Sequence, residues 1–264
     1  KSTSHGRVLL AIHFKHLWFK KCIIKEASRP SRFNSGIDRC QRLQWEFTLL
    51  TKFSTTLPLP KPIDFFELEG KVYLVVKYVS GATLQDTIDQ LYGDYTFKLL
   101  TSINKQKLID YLLQAIEIIK LFHGLGYVHR DISASNFIVA RNGALTLLDL
   151  ELATQVSRKN NEPFFPGCTK GYSSPQQIRN ESPTIYDDIY SIGCLIINSL
   201  THMHPRTLDL HNLKKVVKIL ASHIVYPDML DLIIHCIDPN PAKRPALKTI
   251  SDRLLQYKAS SHEG

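Results

Sequence analysis

The stretch HRDISASN, residues 129–136, decides how the rest of this sequence is interpreted. It places Asp131 five positions before Asn136. A long amphipathic segment that ends at Gly126 precedes it, and a short apolar run, residues 137–139, follows. The pattern predicts a polar loop between a helix and a short strand. Because the tripeptide HRD alone recurs by chance, the residues before and after the loop must determine its meaning.

Upstream, two apolar runs of β type, residues 7–14 and 17–27, are joined by a polar turn. The second run carries Lys25 near its end, where a charge that protects an edge strand is the ordinary interpretation. A helix is predicted from about residue 37 to 53, and Glu46 lies within its apolar stripe. Since a carboxylate in such a stripe needs a partner, we expect an ion pair between Lys25 and Glu46.

The composition is that of an ordinary globular protein, with 44% hydrophobic and 22% charged residues in 264. The formal charge of +9 favours acidic partners, but no single basic block supports nucleic-acid binding. The five cysteines form no CxxC pair, which favours free thiols in a reducing compartment. No apolar run has the length of a signal peptide core or a membrane span, so we expect a cytoplasmic protein. The chain opens on Lys1 rather than Met, so it can be a piece of a longer protein.

Strand patterns give way to helical patterns after Gly81, with predicted helices at residues 83–92, 105–123, 187–200, 209–222, 228–236 and 246–257. A small β-rich part followed by a larger helical part that contains HRDISASN resembles the protein kinases. The resemblance implies an α+β, bilobal protein-kinase-like fold. Residues 1–80 would form the N-lobe and residues 81–264 the C-lobe.

In the kinases that this chain resembles, an aspartate at the place of Asp131 accepts the proton of the substrate hydroxyl. The asparagine at the place of Asn136 binds Mg²⁺ together with an aspartate that matches Asp149, at the end of the apolar run 146–148. The thirteen positions between Asn136 and Asp149 fit a hairpin that brings both together. Their oxygen ligands suit Mg²⁺. Lys25 would complete the catalytic set.

The same resemblance assigns the nucleotide, ATP or GTP, to residues of the N-lobe and of the junction between the lobes. Lys25 would contact the phosphates, and the backbone at Lys77 and Val79 would bind the purine edge. Positions 1 and 4 of this sequence lack the earlier glycines of a kinase glycine-rich loop, so only its tail is matched. The full set of expected nucleotide-binding residues is Gly6, Val8, Lys25, Glu46, Lys77, Val79 and Ile138, with Val76 guarding the inner pocket.

Residues 167–176, GCTKGYSSPQ, resemble the end of the kinase activation segment, the stretch that would begin at Asp149. Thr169 would hydrogen-bond near Asp131 and shape the acceptor site. Gln176 replaces a glutamate that pairs with a buried arginine in the family, and Arg244 matches that arginine. Asp188 matches the aspartate that holds the backbone of the HRD loop, although as a plain N-cap it would need no function.

Three departures narrow the resemblance. Ser133 and Ser135 stand where serine/threonine and tyrosine kinases respectively carry a cation, and Ile23 replaces a small residue above the adenine. With the motifs HRDISASN, LLDLELA and GYSSPQQ, the chain resembles the kinase domain of class III and IV lanthipeptide synthetases. This implies phosphorylation of serine or threonine in a precursor peptide, with lyase and cyclase domains as possible partners in a larger synthetase.

Two other functions stay open. A small-molecule phosphotransferase of the aminoglycoside or choline type also lacks the catalytic-loop lysine, but the activation-segment ending and Arg244 argue against it. A non-catalytic pseudokinase or peptide-docking module would fit the missing cations and glycines, while the intact metal ligands oppose it. A comparison of peptide with amino-alcohol substrates would distinguish the small-molecule phosphotransferase from a protein kinase. Mg²⁺-dependent nucleotide binding would distinguish an active kinase from the non-catalytic module.

Overall fold

The computed structural model describes residues 2–3, 6–15, 18–28, 39–156, 163–224 and 226–260. Its first part is a five-stranded antiparallel sheet with the order β1-β2-β3-β5-β4. The strands are β1 Ser2–Thr3, β2 Gly6–Lys15, β3 Trp18–Ser28, β4 Pro62–Leu68 and β5 Lys71–Lys77. One helix, α1 Arg39–Phe53, packs against β3, β4 and β5. This is the β-rich lobe that the sequence predicts.

Local chemistry explains the turn between β4 and β5. Glu69 and Gly70 have φ of 50° and 71°, the left-handed conformations that a two-residue hairpin turn needs. The apolar run 72–79 predicts a strand that reaches Val79, but β5 stops at Lys77. The next residue, Tyr78, donates its N–H to the carbonyl of Lys21 (3.2 Å), and the chain then leaves the sheet.

The second part is mainly helical. Its helices are α2 Leu84–Tyr92, α3 Ser102–Gly124, α4 Pro175–Ile178, α5 Ile185–Thr201, α6 Leu213–Ala221, α7 Pro227–Cys236 and α8 Leu247–Ser260, with single 3₁₀ turns at Phe97–Leu99, Ala134–Asn136, Pro205–Thr207 and Pro241–Lys243. Short strands form two small sheets, β6-β8-β9 and β10-β7, from β6 Ala82–Thr83, β7 Tyr127–Val128, β8 Phe137–Val139, β9 Leu145–Leu147 and β10 Thr154–Gln155. The α+β, bilobal fold class is confirmed.

The helix α5 lies in the centre of the helical lobe, and all of it from Asp187 to Thr201 is buried. It packs against α3 and α7. At Gly193 the packing is so close that a Cβ would lie 2.6 Å from the Cβ of Cys236. The predicted helices are confirmed within a few residues, except that 209–222 is shorter. Asn212 caps α6 by accepting the N–H of Lys215, so the helix starts only at Leu213.

The junction of the lobes runs through Gly81, next to strand β8. A Cβ at Gly81 would lie 2.1 Å from the carbonyl oxygen of Val139, so the two backbones touch where the chain enters the helical lobe. Each cysteine is a free thiol, and all except Cys168 are buried. Among the described residues, no helix is both long and apolar enough to cross a membrane.

Candidate active site

Strand β3 and helix α1 bring together the residues of the predicted ion pair. The ammonium of Lys25 lies 2.8 and 2.9 Å from the two carboxylate oxygens of Glu46, which is 2% exposed. Lys25 and Val8 are directly opposite across β2 and β3, so both side chains point to the same face of the sheet. The predicted ion pair is therefore confirmed, and it faces the cleft between the lobes.

Two further carboxylates surround the same ammonium. The Nζ atom of Lys25 lies 3.5 Å from Asp149 and 3.7 Å from Glu151. Burial would lower the pKa of Lys25, but the carboxylates of Asp149, Glu46 and Glu151 outweigh it and raise this pKa above its ordinary value. Burial and neighbouring carboxylates raise the pKa of Glu46 and of Glu151, whereas Lys25 overcomes burial and lowers the pKa of Asp149. Three carboxylates thus surround the ammonium of Lys25, and the guanidinium of Arg42 also acts on Glu151 and Asp149.

Glu151 is the residue of this cluster to which the sequence gives no role. Its side-chain oxygen and those of Glu46 and Asp149 all lie within 4.8 Å of one another. The backbone N–H of Glu151 also donates to the carboxylate of Asp149 (3.4 Å), which sits in a left-handed conformation with φ 60°. An acidic residue two positions after Asp149 is the sequence signal that could have identified it.

A hairpin joins the two residues predicted to bind a metal. Strands β8 and β9 pair, and the N–H of Leu148 donates to the carbonyl of Asn136 (2.8 Å), one residue before Asp149. The amide nitrogen of Asn136 donates to both the carbonyl and the carboxylate of Asp131, at 2.8 Å each, which turns the amide oxygen away from Asp131. Hard oxygen donors beside surplus negative charge fit a divalent cation such as Mg²⁺.

Asp131 is held on both sides. One carboxylate oxygen accepts a hydrogen bond from the hydroxyl of Thr169 (2.5 Å), and the other accepts from Asn136. The contact between Thr169 and Asp131 is as expected from the sequence. Burial, then the charge of Asp149, raises the pKa of Asp131 despite these hydrogen bonds. A carboxylate with a raised pKa is a better proton acceptor near neutral pH than an ordinary aspartate.

Asp188, at the start of α5, anchors the loop that carries Asp131. Its carboxylate accepts the backbone N–H groups of His129 and Arg130 and a ring nitrogen of His123, each at 2.8 Å. Burial would raise the pKa of Asp188, but hydrogen bonds and the charges of His123 and His129 lower it. These contacts hold Arg130 in a left-handed conformation with φ 65°. The predicted anchoring contact is confirmed.

Gln176 and Arg244 also meet. The guanidinium of Arg244 donates to the amide oxygen of Gln176 (2.7 Å) and to the carbonyls of Tyr186 and Asp238, at 2.9 Å each. The amide nitrogen of Gln176 donates to the carbonyl of Pro239 (2.8 Å). A glutamine therefore fills two hydrogen-bonding positions here, whereas a glutamate would bring a carboxylate oxygen against the Pro239 carbonyl.

Among the expected nucleotide-binding residues, Val8 and Lys25 lie on the cleft face of the sheet, whereas Lys77 pairs with Cys22 on the opposite face. Ile23 pairs with Val76 and shares the face of Lys25 and Val8. The N–H of Lys77 donates to the carbonyl of Lys61 (2.8 Å), and Ile138 is half-buried in β8. Gly6 is an ordinary strand residue opposite Ala27. The positions of the missing glycines, Lys1 and Ser4, lie outside the described residues, and Val79 follows the end of β5.

Ser133 and Ser135, which stand where other kinases carry a cation, differ in their surroundings. Ser133 is buried at the start of a 3₁₀ turn and accepts the N–H of Asn136 on its carbonyl (3.0 Å), whereas Ser135 is exposed. A buried position of this kind suits a small side chain. Neither serine therefore brings a positive charge next to Asp131.

Helix α1 also contacts the activation segment, residues 149–176, through two side chains that play no part in the sequence prediction. The indole N–H of Trp45 donates to the carbonyl of Ala153 (2.7 Å). One guanidinium nitrogen of Arg42 donates to the carbonyl of Pro166 (2.6 Å). The spacing of Arg42 and Trp45, three positions apart on α1, is the only sequence signal for this pair.

Comparison with known proteins agrees with this geometry. Residues 4–255 match the family model described as protein kinase domain. Relatives include a probable serine/threonine-protein kinase of Dictyostelium discoideum (28% identical over 69% of this chain), the serine/threonine-protein kinase PLK4 of Drosophila virilis (25% over 85%) and the serine/threonine-protein kinase PknB of Mycobacterium tuberculosis (29% over 52%). The matched regions cover only 15%, 28% and 21% of those three proteins.

Proposed function

The chain belongs to the protein kinase domain family, and from this premise we propose that it transfers the γ-phosphoryl group of ATP or GTP to a serine or threonine hydroxyl of a protein or peptide. The observation that carries the proposal is the position of Asp131. Its carboxylate is fixed between Thr169 and Asn136, on a loop that Asp188 anchors. A positioned base with a raised pKa is of little use to a scaffold.

In this mechanism the oxygen of the acceptor hydroxyl bonds to the γ-phosphorus, and Asp131 accepts the proton of that hydroxyl. The bond between the γ-phosphorus and the oxygen that bridges to the β-phosphate breaks at the same time. Lys25, held by Glu46, binds the non-transferred phosphates through its ammonium. Asn136 and Asp149 would hold Mg²⁺, which when bound neutralises phosphate charge. Positioning and charge supply most of the rate enhancement in such reactions.

The missing catalytic-loop cation affects the charge balance of this reaction. With Ser133 in the loop, Lys25 is the described ammonium nearest to Asp149, and its raised pKa keeps it protonated across the physiological range. We therefore infer that removal of the Lys25 ammonium lowers the transfer rate more than it would if a second lysine, in the catalytic loop, also neutralised the phosphate charge.

We further propose a precursor peptide of lanthipeptide type as the acceptor, with lyase and cyclase domains as partners. The support is limited to the sequence: the two serines in HRDISASN and the motifs LLDLELA and GYSSPQQ. None of the three relatives named above is a lanthipeptide synthetase. The wider proposal, a serine/threonine kinase, does not depend on this one.

The test is mass spectrometry of serine- and threonine-containing peptides after incubation with the protein, Mg²⁺ and either ATP or GTP. We expect a mass increase of one phosphate on hydroxyl side chains, and its loss in Asp149→Asn. Amino-alcohol acceptors in the same screen cover the small-molecule alternative. Phosphorylation of those acceptors alone, or nucleotide binding without transfer to any acceptor, would overturn the proposal.

A further inference from the structure

The indole of Trp45 joins the two elements that supply carboxylates to Lys25. Trp45 directly precedes Glu46 on α1, and its N–H donates to the carbonyl of Ala153, four residues after Asp149. Ala153 is itself tied to the turn, because its N–H donates to the carbonyl of Leu150 (3.1 Å). One hydrogen bond therefore links the backbone beside Asp149 to the helix that carries Glu46.

A second link, one turn earlier on α1, reaches the far end of the activation segment. Arg42 donates to the carbonyl of Pro166, and its guanidinium lies 5.8 Å from the ring of Phe165. The Nε atom of Arg42 is buried without a hydrogen-bond partner, so this contact is made at some cost in desolvation. Helix α1 is thus held at both described parts of the segment.

The catalytic loop is joined to the same segment by buried side chains. Arg130 donates to the carbonyls of Leu152 (3.3 Å) and Phe165 (3.1 Å) and lies over the ring of Phe164. Gln177 donates to the carbonyls of Arg130 (2.7 Å) and Gly167 (2.8 Å). These links end on neutral backbone carbonyls. In many kinases the segment is instead ordered by new pairs between arginine and a phosphorylated side chain.

We propose that Trp45 is a positioning residue, which holds Glu46 and Asp149 together around Lys25 through its hydrogen bond to Ala153. Together with the Arg42 contact, this bond keeps α1 in its ion-paired position without a phosphate on the activation segment. The inference rests on the proposed function, since it assigns the role of Trp45 through the kinase residues Lys25, Glu46 and Asp149.

The first experiment is a double-mutant comparison of kcat and KM. Trp45→Phe keeps an aromatic ring on α1 and removes the N–H donor together with the five-membered ring of the indole. We expect kcat to fall about tenfold, the effect of one lost hydrogen bond of ordinary strength, with KM for the peptide unchanged. In a Glu46→Gln chain, Trp45→Phe should change kcat less than about twofold, because Trp45 acts through Glu46.

A purely structural role for Trp45 would give a different result. In that case the loss caused by Trp45→Phe would be the same in both backgrounds, and this outcome, or a normal kcat in the single variant, would overturn the proposal. Phe47→Leu, at a half-buried neighbouring position that packs on Phe65, is the control for general damage to α1. It should leave kcat within about twofold, because it changes only the packing of α1 on β4.

A second experiment tests the absence of a phosphate requirement. Protein treated with a phosphatase, with intact mass confirming that no phosphate remains, should keep its initial rate when the phosphatase is removed. Loss of most of the activity, restored by phosphorylation, would overturn the inference.

Hydrogen exchange of α1 separates failure of this inference from failure of the proposed function. The amides of Arg39–Phe53 should exchange faster in Trp45→Phe than in the wild-type chain without any substrate, since a tie to the segment is lost. If the wild-type chain transfers no phosphate, the proposed function fails. The difference in exchange between the two chains still measures the contact between Trp45 and Ala153. Equal exchange in both chains would contradict the link itself.

Discussion

The two sides of the cleft differ in how far they are built before any ligand arrives. On the side of the helical lobe, Asp131, Asn136, Thr169 and Asp188 are each held by hydrogen bonds between 2.5 and 2.8 Å. On the other side, the cleft face of β2 presents Val8, Leu10 and Ile12, which are 45%, 62% and 68% exposed. The residues proposed for the chemistry are therefore preassembled, whereas the face proposed for the nucleotide has apolar surface still to bury.

The largest effect should come from the preassembled side. Asp131→Asn removes the proton acceptor but keeps a polar side chain of the same shape between Thr169 and Asn136, and we expect the transfer rate to fall about 10³-fold. The initial rate with saturating peptide is the measurement. Asp94→Asn, at an exposed loop position, is the matched control. A rate within tenfold of wild type would mean that this side of the cleft is not the reacting side.

Substitution of Asp188 should release the loop that carries Asp131. Asp188→Asn leaves backbone N–H groups without their carboxylate acceptor, so we expect the free energy of unfolding at pH 7 to fall by about 3 kcal/mol. Because the pKa of Asp188 is lowered in the folded chain, its contribution is complete above the unfolded pKa of about 4 and decreases as the pH falls below it.

Urea unfolding of both chains across this pH range measures the effect. The difference between wild type and Asp188→Asn should therefore shrink towards pH 3. A difference that grows on acidification would contradict the direction of the pKa shift. It would also show that the loop does not depend on the charge of Asp188.

A smaller effect on stability is expected from substitutions of Gln176, at the end of the activation segment. Gln176→Ala removes an acceptor from the buried Arg244, and we expect a loss of about 1 kcal/mol in the free energy of unfolding. The free energy of unfolding of Gln176→Glu should not exceed that of the wild-type chain. Its new charge pair with Arg244 is offset by repulsion between the carboxylate and the Pro239 carbonyl. Thermal unfolding of the three chains in parallel is the measurement. A clear gain with glutamate would show that the amide donor contributes little.

The smallest effect is expected on the incomplete side. Val8→Ala removes apolar surface from the cleft face, and we expect KM for the nucleotide to rise about threefold with kcat unchanged. Leu9, one residue on, is exposed to a similar extent (43%) but points to the other face of β2. Leu9→Ala should leave KM unchanged. Equal effects of the two substitutions would place the nucleotide elsewhere.

The same contrast explains what could be predicted from the sequence. The ion pair of Lys25 and Glu46 follows from local patterns, because strand and helix periodicity already place both residues. The hydrogen bond between Gln176 and Arg244 was reached only through the family resemblance, since the residues lie 68 positions apart. Trp45 and Glu151 were missed because their spacing in the sequence does not show the backbone carbonyl and the ammonium that they contact. The end of β5 at Lys77 was missed because an apolar run does not show where a chain leaves its sheet.

The close approach at Gly81 has a practical consequence for anyone who randomises this chain to alter its acceptor. Since a Cβ there would lie 2.1 Å from a main-chain oxygen of β8, every codon except those for glycine introduces a collision with an atom that has no rotamer to change. A library that leaves position 81 fixed therefore loses nothing useful.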